Sequence, residues 1–276
     1  MVLKKNKLPS FFIIGAQKCG TTYLNNLLGS SPFIYSPPKK EIDFFSSNLL
    51  YTKGISFYKK SFNCPLYTLK TFEACPNYMY YEKAIKRIYK FNPNSKLIII
   101  IKNPVERFIS AWNMYYLFFV TNDDNKWYSK TNVMKNYFGI MPSPHNLNGI
   151  SFLKKSIFPS LDEVIEQEIS DFKKNKLLLE PGFLTRGLYI EQIKNILKYF
   201  NNEQLLVINN NQINSSLPQI KSFLGIVHYP FFTKKVNGFI GTYKNEIPIS
   251  KLEQLHHFYE PYNQELYHFL KKDLKW

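Results

Sequence analysis

Short continuous runs of apolar residues alternate along the chain with segments whose apolar residues are spaced as on one face of a helix. Phe11–Gly15 is an apolar run that ends in glycine, and residues 21–28 follow it with apolar side chains at helical spacing. This pattern predicts a strand, a tight loop and a helix. Residues 97–101 form a continuous apolar run, β-branched from Ile98 to Ile101, which is typical of a strand buried on both faces of a parallel sheet. Further strands are predicted at 67–72 and 204–208, and further helices at 81–91, from Pro104 onward, at 187–200 and at 251–270.

The alternation of strands and helices predicts the fold class. It is α/β, with a doubly wound parallel sheet, helices on both faces and ligands at the carboxyl ends of the strands. The length favours a single domain over residues 1–276. The helical pattern fades after Asn113, and the aromatic-rich stretch at about 113–150 is predicted to be an insertion over the cleft. The last helix is predicted to be interrupted near Pro261.

The chain is strongly basic. Its 36 basic and 20 acidic residues give a formal net charge of +16, which indicates an anionic ligand or else a lysine-rich solvated surface. Only Arg87, Arg107 and Arg186 are arginines, and arginine is the side chain that reads guanine edges and forks onto phosphates. Sequence-specific binding of nucleic acid is therefore not expected.

The sequence also bears on the compartment. No apolar run approaches the roughly 18 to 20 residues needed to cross a bilayer. The apolar stretch near the N-terminus is followed by a glycine loop instead of a cleavage site. Cys19, Cys64 and Cys75 include no CxxC pair and cannot form a closed disulfide set. These features predict a chain without a membrane span in the reducing cytoplasm, and they leave the oligomeric state open.

The sharpest motif lies where the first strand turns into a helix. It reads Gly15-Ala-Gln-Lys-Cys-Gly-Thr-Thr22. The backbone N–H groups of such a glycine loop, with the positive end of the helix dipole, form a cradle for an anion. The spacing equals that of the P-loop GxxxxGK[ST], which makes the predicted sheet P-loop-like, but Lys18 stands two places early and Thr21 takes the usual lysine position.

A second motif follows the β-branched run. It reads Lys102-Asn-Pro-Val-Glu-Arg107-Phe-Ile-Ser110. A cation at the strand tip and a hydroxyl two helical turns later can converge on one phosphate, and each charge-assisted hydrogen bond contributes roughly 1.5 to 3 kcal/mol. A nucleotide hydrolase normally has a metal-binding carboxylate at this strand end, where this chain has Lys102. A metal-dependent ATPase or kinase is therefore the weaker interpretation.

Together these motifs resemble the sulfotransferases that use 3'-phosphoadenosine 5'-phosphosulfate (PAPS), above all the heparan-sulfate type and its bacterial relatives. The two segments are similar to the family's 5'-phosphosulfate loop and 3'-phosphate segment. Three further stretches resemble family motifs in the same order: Lys40-Glu-Ile-Asp-Phe-Phe45, Arg186-Gly-Leu-Tyr-Ile-Glu-Gln192 and Tyr259-Glu-Pro-Tyr-Asn-Gln-Glu-Leu-Tyr267. The likeness covers most of the chain and implies an enzyme of this family.

The resemblance implies a role for each matching residue. Glu41 falls on the general base that removes the acceptor's proton. Lys18 is implied in catalysis as well as binding, since it faces the bridging oxygen of the leaving nucleotide, adenosine 3',5'-bisphosphate. No metal is implied, because the leaving group is a phosphate already held by cations. The residues implied to bind PAPS are Lys18, Cys19, Gly20, Thr21 and Thr22 at the 5'-phosphosulfate, Lys102 and Ser110 at the 3'-phosphate, and Lys244 in a loosely matching stretch.

The acceptor side departs from the heparan-sulfate pattern. The stretch Thr71-Phe-Glu-Ala-Cys-Pro-Asn-Tyr78 resembles the Glu-Lys-Ser region of glycosaminoglycan enzymes, but Ala74 replaces the lysine. Glu73, Tyr78 and Phe44 remain as predicted acceptor-side residues, with the insertion at about 113–150 beside them. We therefore expect a small-molecule acceptor, a natural product of secondary metabolism. A glycan is the alternative, and the charge of +16 supports it.

Two interpretations of other classes remain open from the residues. One is a P-loop nucleotide kinase or ATPase, which binds Mg-ATP in preference to adenosine 3',5'-bisphosphate. The other is a non-enzymatic basic module that binds a sulfated polymer or RNA. The affinity of such a module falls steeply with salt, and it transfers no sulfate.

Overall fold

The computed structural model describes residues 3–126, 129–131, 156–174, 182–226 and 248–276. Lys244 lies outside the described residues, and so do residues 127–128 and 132–150 of the segment predicted to be an insertion. Within the described ranges, no helix combines the length and the apolar character that a membrane crossing requires.

Seven strands lie in the described part of the chain. They are β1 (Lys4–Asn6), β2 (Phe11–Gly15), β3 (Ile34–Tyr35), β4 (Asn63–Pro65), β5 (Lys70–Ala74), β6 (Lys96–Ile101) and β7 (Leu205–Asn209). The order β3-β5-β2-β6-β7 forms one sheet in which every neighbouring pair is parallel. β1 and β4 pair antiparallel as a separate ribbon. The predicted α/β class with a parallel sheet is confirmed.

The two central strands explain the apolar runs in the sequence. Phe12 of β2 lies opposite Leu97 of β6, and Ile13 lies opposite Ile98. All four side chains are fully buried. A central strand of a parallel sheet is covered on both faces, so successive residues are all apolar instead of alternating with polar ones.

β5 lies further along the chain than the sequence predicts. The expected strand is 67–72, whereas the observed one is Lys70–Ala74, and Tyr67 is exposed. Pairing with β2 sets these bounds, since Phe72 lies opposite Phe11. This register joins segments that are distant in the chain, so a local apolar pattern does not contain it.

Ten α-helices lie in the described part of the chain. In chain order they are α1 (Thr21–Gly29), α2 (Asn48–Tyr51), α3 (Ile55–Lys59), α4 (Asn77–Tyr80), α5 (Glu82–Phe91), α6 (Pro104–Val120), α7 (Leu161–Lys173), α8 (Tyr189–Leu197), α9 (Leu217–Leu224) and α10 (Ile249–Leu270). Single 3₁₀ turns lie at Lys60–Phe62, Thr185–Gly187, Asn202–Gln204 and Asn210–Gln212. The sequence predicts α1, α5, α6, α8 and α10, and it misses the others.

The chain divides into two compact units. The first comprises Met1–Lys102 and Gln192–Phe239, and it contains every described strand. The second comprises Asn103–Glu191 and Ile240–Trp276. The single domain over 1–276 stays a prediction. The second unit has a hydrophobic core of its own, formed by Val105, Phe108, Ala111, Trp112, Tyr115, Phe118, Val164, Ile165, Phe183, Leu184, Leu188, Leu255 and Tyr259.

α6 is longer than the sequence predicts. It begins at Pro104, as expected, and continues to Val120, so the expectation that helical structure fades after Asn113 is wrong. Tyr115 and Phe118 lie in this later part of the helix and are buried in the core of the second unit. Packing of such side chains stabilises a helix even where the local spacing of apolar residues does not predict one.

α10 is continuous, and the predicted interruption near Pro261 is wrong. The helix contains Pro261 in its interior. Leu255 and Tyr259 before the proline and Leu266 after it are all buried, and the Tyr259 hydroxyl donates a hydrogen bond to the Leu184 carbonyl at 2.8 Å. These contacts offset the backbone hydrogen bond that a proline removes.

Candidate active site

The loop between β2 and α1 depends on a glycine. Gly20 has a φ of 99°, in the left-handed region that glycine adopts without strain. A Cβ at this position would lie 3.1 Å from both Asn210 Nδ2 and Ile213 Cδ1. The same Asn210 amide donates a hydrogen bond to the Cys19 carbonyl at 3.1 Å. The segment after β7 therefore holds the loop in place and leaves little room for a side chain at Gly20.

The start of α1 is suited to an anionic ligand. No side chain caps the helix at Gly20, and its first turn contains no acidic residue. The positive end of the helix dipole is therefore not neutralised by a capping carboxylate. Thr22 is exposed, whereas Cys19 and Thr21 are buried. The Cys19 side chain points into the protein, so this residue can offer a ligand only its backbone.

Lys40 connects the loop to the segment that contains the predicted base. Its ammonium nitrogen lies 2.8 Å from Glu41 Oε1 and 3.4 Å from Thr21 Oγ1. The side chains of Lys40 and Glu41 are 16% and 31% exposed, so the pair is partly screened from water but still open to a ligand. The structure thus brings Glu41 next to the loop through Lys40, a motif residue to which the sequence analysis assigns no role.

Asp43 anchors the backbone after Glu41. Its Oδ1 atom accepts hydrogen bonds from Ser46 Oγ at 2.8 Å, Asn77 Nδ2 at 2.9 Å and Cys75 Sγ at 3.1 Å. Carboxylate oxygens of Glu41 and Asp43 and the Cys75 sulfur lie within 4.8 Å of one another, a spacing that a metal ion could use. Burial, however, raises the pKa of the Cys75 thiol well above its ordinary value. A protonated thiol that donates to a carboxylate is a hydrogen-bonding partner, since metals bind the thiolate.

Glu73, near the end of β5, is a buried carboxyl group. It accepts hydrogen bonds from the hydroxyls of Tyr58 at 2.5 Å and Tyr78 at 2.8 Å. The backbone N–H of Ile42 also stabilises its charged form. Burial nevertheless raises the pKa of Glu73 to about 7, because the cost of removing a charge from water exceeds the effect of these hydrogen bonds. Through its hydrogen bond with the backbone N–H of Ile42, Glu73 links β5 to the segment that contains Glu41.

The three predicted acceptor-side residues are all in the core of the first unit. Glu73, Tyr78 and Phe44 are 2%, 0% and 1% exposed. Phe44 stacks on Tyr58 with ring centroids 4.6 Å apart. These side chains support the segment around Glu41 from within the protein. Tyr58, which contacts two of them, has no signal in the sequence, because it lies in a helix of only five residues, which is too short to show a helical spacing of apolar residues.

The buried Glu73 predicts a pH dependence of stability. Its pKa is 4.5 in the unfolded chain and about 7 in the folded one, so the folded state binds the proton more tightly. The resulting stabilisation is fully present below pH 4.5 and is lost as the pH rises through about 7. The variant Glu73→Gln lacks this loss of stability with rising pH, because glutamine does not ionise. Relative to the wild type, its free energy of unfolding is expected to increase by roughly 2 to 3 kcal/mol between about pH 5 and pH 8.

Urea unfolding at several pH values measures this difference. Glu203→Gln is the matched control, since it removes an exposed carboxyl group of the same unit. A difference between Glu73→Gln and the wild type that stays constant across the pH range would contradict the raised pKa of Glu73.

The segment predicted to bind the 3'-phosphate, residues 102–110, is divided between the two units. Lys102 directly follows β6 and is half-buried, at the same sheet edge as the loop. Ser110 lies on α6, in the second unit. Their convergence on one phosphate stays a prediction, and Lys244 lies outside the described residues.

A cleft of about 300 Å³ opens beside the loop. It is lined by Gly20, Tyr23, Asn210, Asn211, Ile213 and Asn214. The Tyr23 hydroxyl donates a hydrogen bond to Asn214 Oδ1 at 2.7 Å. The polar groups of this lining are amides and a phenol, with no carboxylate. The residues directly after β6 and β7 are Lys102 and Asn210, so neither strand end offers the acidic metal ligand of a P-loop hydrolase.

Comparison with known families agrees with this geometry. Residues 8–229 match the family described as the sulfotransferase domain. The chain belongs to the sulfotransferase domain family. The matched part of this sulfotransferase includes the loop, the Lys40–Glu41 pair and Lys102, and it covers most of the chain.

Two relatives and one solved structure are similar to this chain over nearly its whole length. Heparan sulfate glucosamine 3-O-sulfotransferase 5 from Mus musculus is 25% identical over 98% of this sulfotransferase and 74% of its own length. Membrane-associated sulfotransferase kil1 from Dictyostelium discoideum is 25% identical over 98% of this chain and 66% of its own. The crystal structure of a sulfotransferase from Alicyclobacillus acidocaldarius is 25% identical, with a TM-score of 0.65 over 97% of this chain and 98% of that one. The predicted resemblance and fold are confirmed.

Proposed function

We propose that this sulfotransferase transfers the sulfuryl group of PAPS to a hydroxyl or amine group by in-line displacement. The observation that carries the proposal is the position of Lys40, whose ammonium group contacts both the Glu41 carboxylate and the Thr21 hydroxyl of the loop. A base for the acceptor and a cradle for the donor are therefore neighbours. Family membership supports the type of reaction, and the two phosphate motifs support PAPS as the donor.

The described residues fit a nucleotide with an anionic group at each end. The uncapped start of α1, free of acidic residues, suits the 5'-phosphosulfate. The cation at the tip of β6 suits the 3'-phosphate. We assign Lys18, Gly20, Thr21, Thr22 and the backbone of Cys19 to the first group, and Lys102, Ser110 and Lys244 to the second.

The chemistry follows from these positions. Glu41 takes the acceptor's proton as the acceptor atom forms its bond to sulfur. The bond between sulfur and the bridging oxygen of the donor breaks, and its electron pair stays on that oxygen. Lys18 and the loop N–H groups stabilise the charge that develops there. The leaving group is adenosine 3',5'-bisphosphate, and we assign no metal to the reaction.

Two acceptor classes are supported by different observations. A glycan is favoured by the heparan sulfate relative and by the net charge of +16. A small molecule, the expectation from sequence, is favoured by Ala74, which is buried in β5 and presents no cation at the position where the glycosaminoglycan enzymes have lysine. Labelled sulfate transfer from PAPS to desulfated heparan sulfate and to 4-nitrophenol, run in parallel, separates the two classes.

Binding experiments test the donor. In isothermal titration with EDTA present, we expect the protein to bind adenosine 3',5'-bisphosphate. Tighter binding of Mg-ATP would favour the kinase or ATPase interpretation instead. An affinity for polyanions that falls steeply as the salt concentration rises, without any sulfate transfer, would favour the non-enzymatic module. The cytoplasmic location stays a prediction, and one relative is named as membrane-associated.

Lys102 provides a separate test of the nucleotide site. The variant Lys102→Ala is expected to weaken binding of adenosine 3',5'-bisphosphate roughly tenfold, because one charge-assisted hydrogen bond to the 3'-phosphate is lost. Titration calorimetry measures the change. Lys90→Ala, which removes an exposed lysine of α5, is the control for loss of one positive charge. Equal affinities in the two variants would contradict the role of Lys102.

A further inference from the structure

Lys40 has an environment unlike that of a surface lysine. Its ammonium group lies between Glu41 Oε1 at 2.8 Å and Thr21 Oγ1 at 3.4 Å, and its side chain is only 16% exposed. By contrast, the ion pair of Lys198 and Glu82 spans 3.4 Å between side chains that are 54% and 45% exposed. Exposed pairs of that second kind contribute little to stability. The Lys40 contacts join two segments that are both predicted to touch the reacting groups.

The position of the Lys40 ammonium group suits contact with the sulfuryl group as it moves from the donor to the acceptor. The loop that contains Thr21 holds the donor phosphate in the proposed function, and Glu41 receives the acceptor's proton. The sulfuryl group moves from the first towards the second. A cation that contacts both sides is therefore placed at the oxygens of the moving sulfuryl group, where charge is redistributed in the transition state.

The ion pair also gives Lys40 a stronger effect in the transition state than in the ground state. Before reaction, the Glu41 carboxylate offsets the charge of the Lys40 ammonium group. When Glu41 takes the acceptor's proton, it becomes neutral, and the ammonium charge is then available to the sulfuryl oxygens and the departing phosphate. An interaction that strengthens as the reaction proceeds raises kcat instead of only tightening binding.

We propose that Lys40 is a further catalytic residue, which contacts the sulfuryl oxygens and stabilises them as Glu41 is protonated. This inference rests on the proposed function. No proton leaves Lys40 in this step. The acceptor's proton goes to Glu41, the new bond to sulfur forms, and the electron pair of the broken bond remains on the bridging oxygen of adenosine 3',5'-bisphosphate.

The test compares Lys40→Ala with Lys39→Ala, which removes the exposed neighbouring lysine. Formation of adenosine 3',5'-bisphosphate from PAPS is followed with desulfated heparan sulfate, with 4-nitrophenol and with water alone as acceptor. We expect Lys40→Ala to lower kcat by about 10²- to 10³-fold, and Lys40→Arg to recover part of the loss because it retains the charge. Lys39→Ala is expected to stay within about twofold of the wild type.

Product binding separates a catalytic role from a structural one. Adenosine 3',5'-bisphosphate lacks the sulfuryl group, so its Kd is expected to change by no more than about twofold in Lys40→Ala. A kcat that is unchanged, or a Kd that rises in parallel with the loss of kcat, overturns the inference while the proposed function stands. A wild-type protein that consumes no PAPS with any of the three acceptors overturns the proposed function itself.

Discussion

Replacement of Glu41 by glutamine is expected to lower kcat for sulfuryl transfer by about 10²- to 10⁴-fold, because an amide cannot take the acceptor's proton. Glutamine keeps the size of the side chain and can still accept a hydrogen bond from Lys40, so the local structure is preserved. Nucleotide affinity is not expected to fall, since the change removes a negative charge beside an anion site. Labelled transfer from PAPS measures kcat, and calorimetry with adenosine 3',5'-bisphosphate measures affinity.

A matched variant makes this result specific. Glu82→Gln also removes one carboxylate of the first unit, but from an exposed ion pair at the start of α5. We expect it to keep kcat within about twofold of the wild type. Full activity in Glu41→Gln would show that another group takes the proton, and Asp43, whose carboxylate lies within 4.8 Å of that of Glu41, would be the next group to examine.

Gly20→Ala is expected to reduce the affinity for adenosine 3',5'-bisphosphate on the order of 100-fold, since a strained left-handed alanine costs about 1 to 3 kcal/mol and displaces the loop that forms the cradle. The φ of 99° is the first cause. The second is space, because the added Cβ would lie 3.1 Å from Asn210 Nδ2 and Ile213 Cδ1. Titration calorimetry gives the affinity, and thermal unfolding shows whether the variant is folded.

Two further variants keep this test decisive. Gly29→Ala adds the same methyl group at the end of α1, where no atom outside its chain neighbours and the backbone of its own helix lies within 4 Å of the new Cβ, and it is expected to bind as the wild type does. Asn210→Ala removes the hydrogen bond to the Cys19 carbonyl without any change at the glycine, and a smaller loss of affinity is expected. Nucleotide binding that survives Gly20→Ala unchanged would place the anion site elsewhere.

The strand, loop and helix around Gly20 are predictable because their information is local. An apolar run predicts β2, a glycine-bearing loop follows, and the apolar spacing of the next residues predicts α1. The same holds for β6, whose β-branched run identifies a central strand. The order of motifs along the chain is likewise a property of the sequence, and it is sufficient to indicate the family.

The neighbours of Glu41 are not predictable in this way. Lys40 contacts Thr21, and Glu73 accepts a hydrogen bond from Tyr58, across 19 and 15 residues of the chain, and no local pattern in the sequence specifies either contact. The burial of Glu73 is also a tertiary effect, since its position in the sequence fits an exposed acceptor contact equally well. Burial decides that its pKa is about 7.

The sequence by itself determined the parallel α/β class, the glycine loop between β2 and α1 and the family of this sulfotransferase, because the apolar runs and motifs that indicate them are local and their order can be read along the chain. Only the tertiary structure decided the bounds of β5, the continuity of α10 through Pro261 and the placement of Lys40 between Thr21 and Glu41. Each of these depends on contacts between segments far apart in the chain, whose packing energy outweighs the local preference of any one of them.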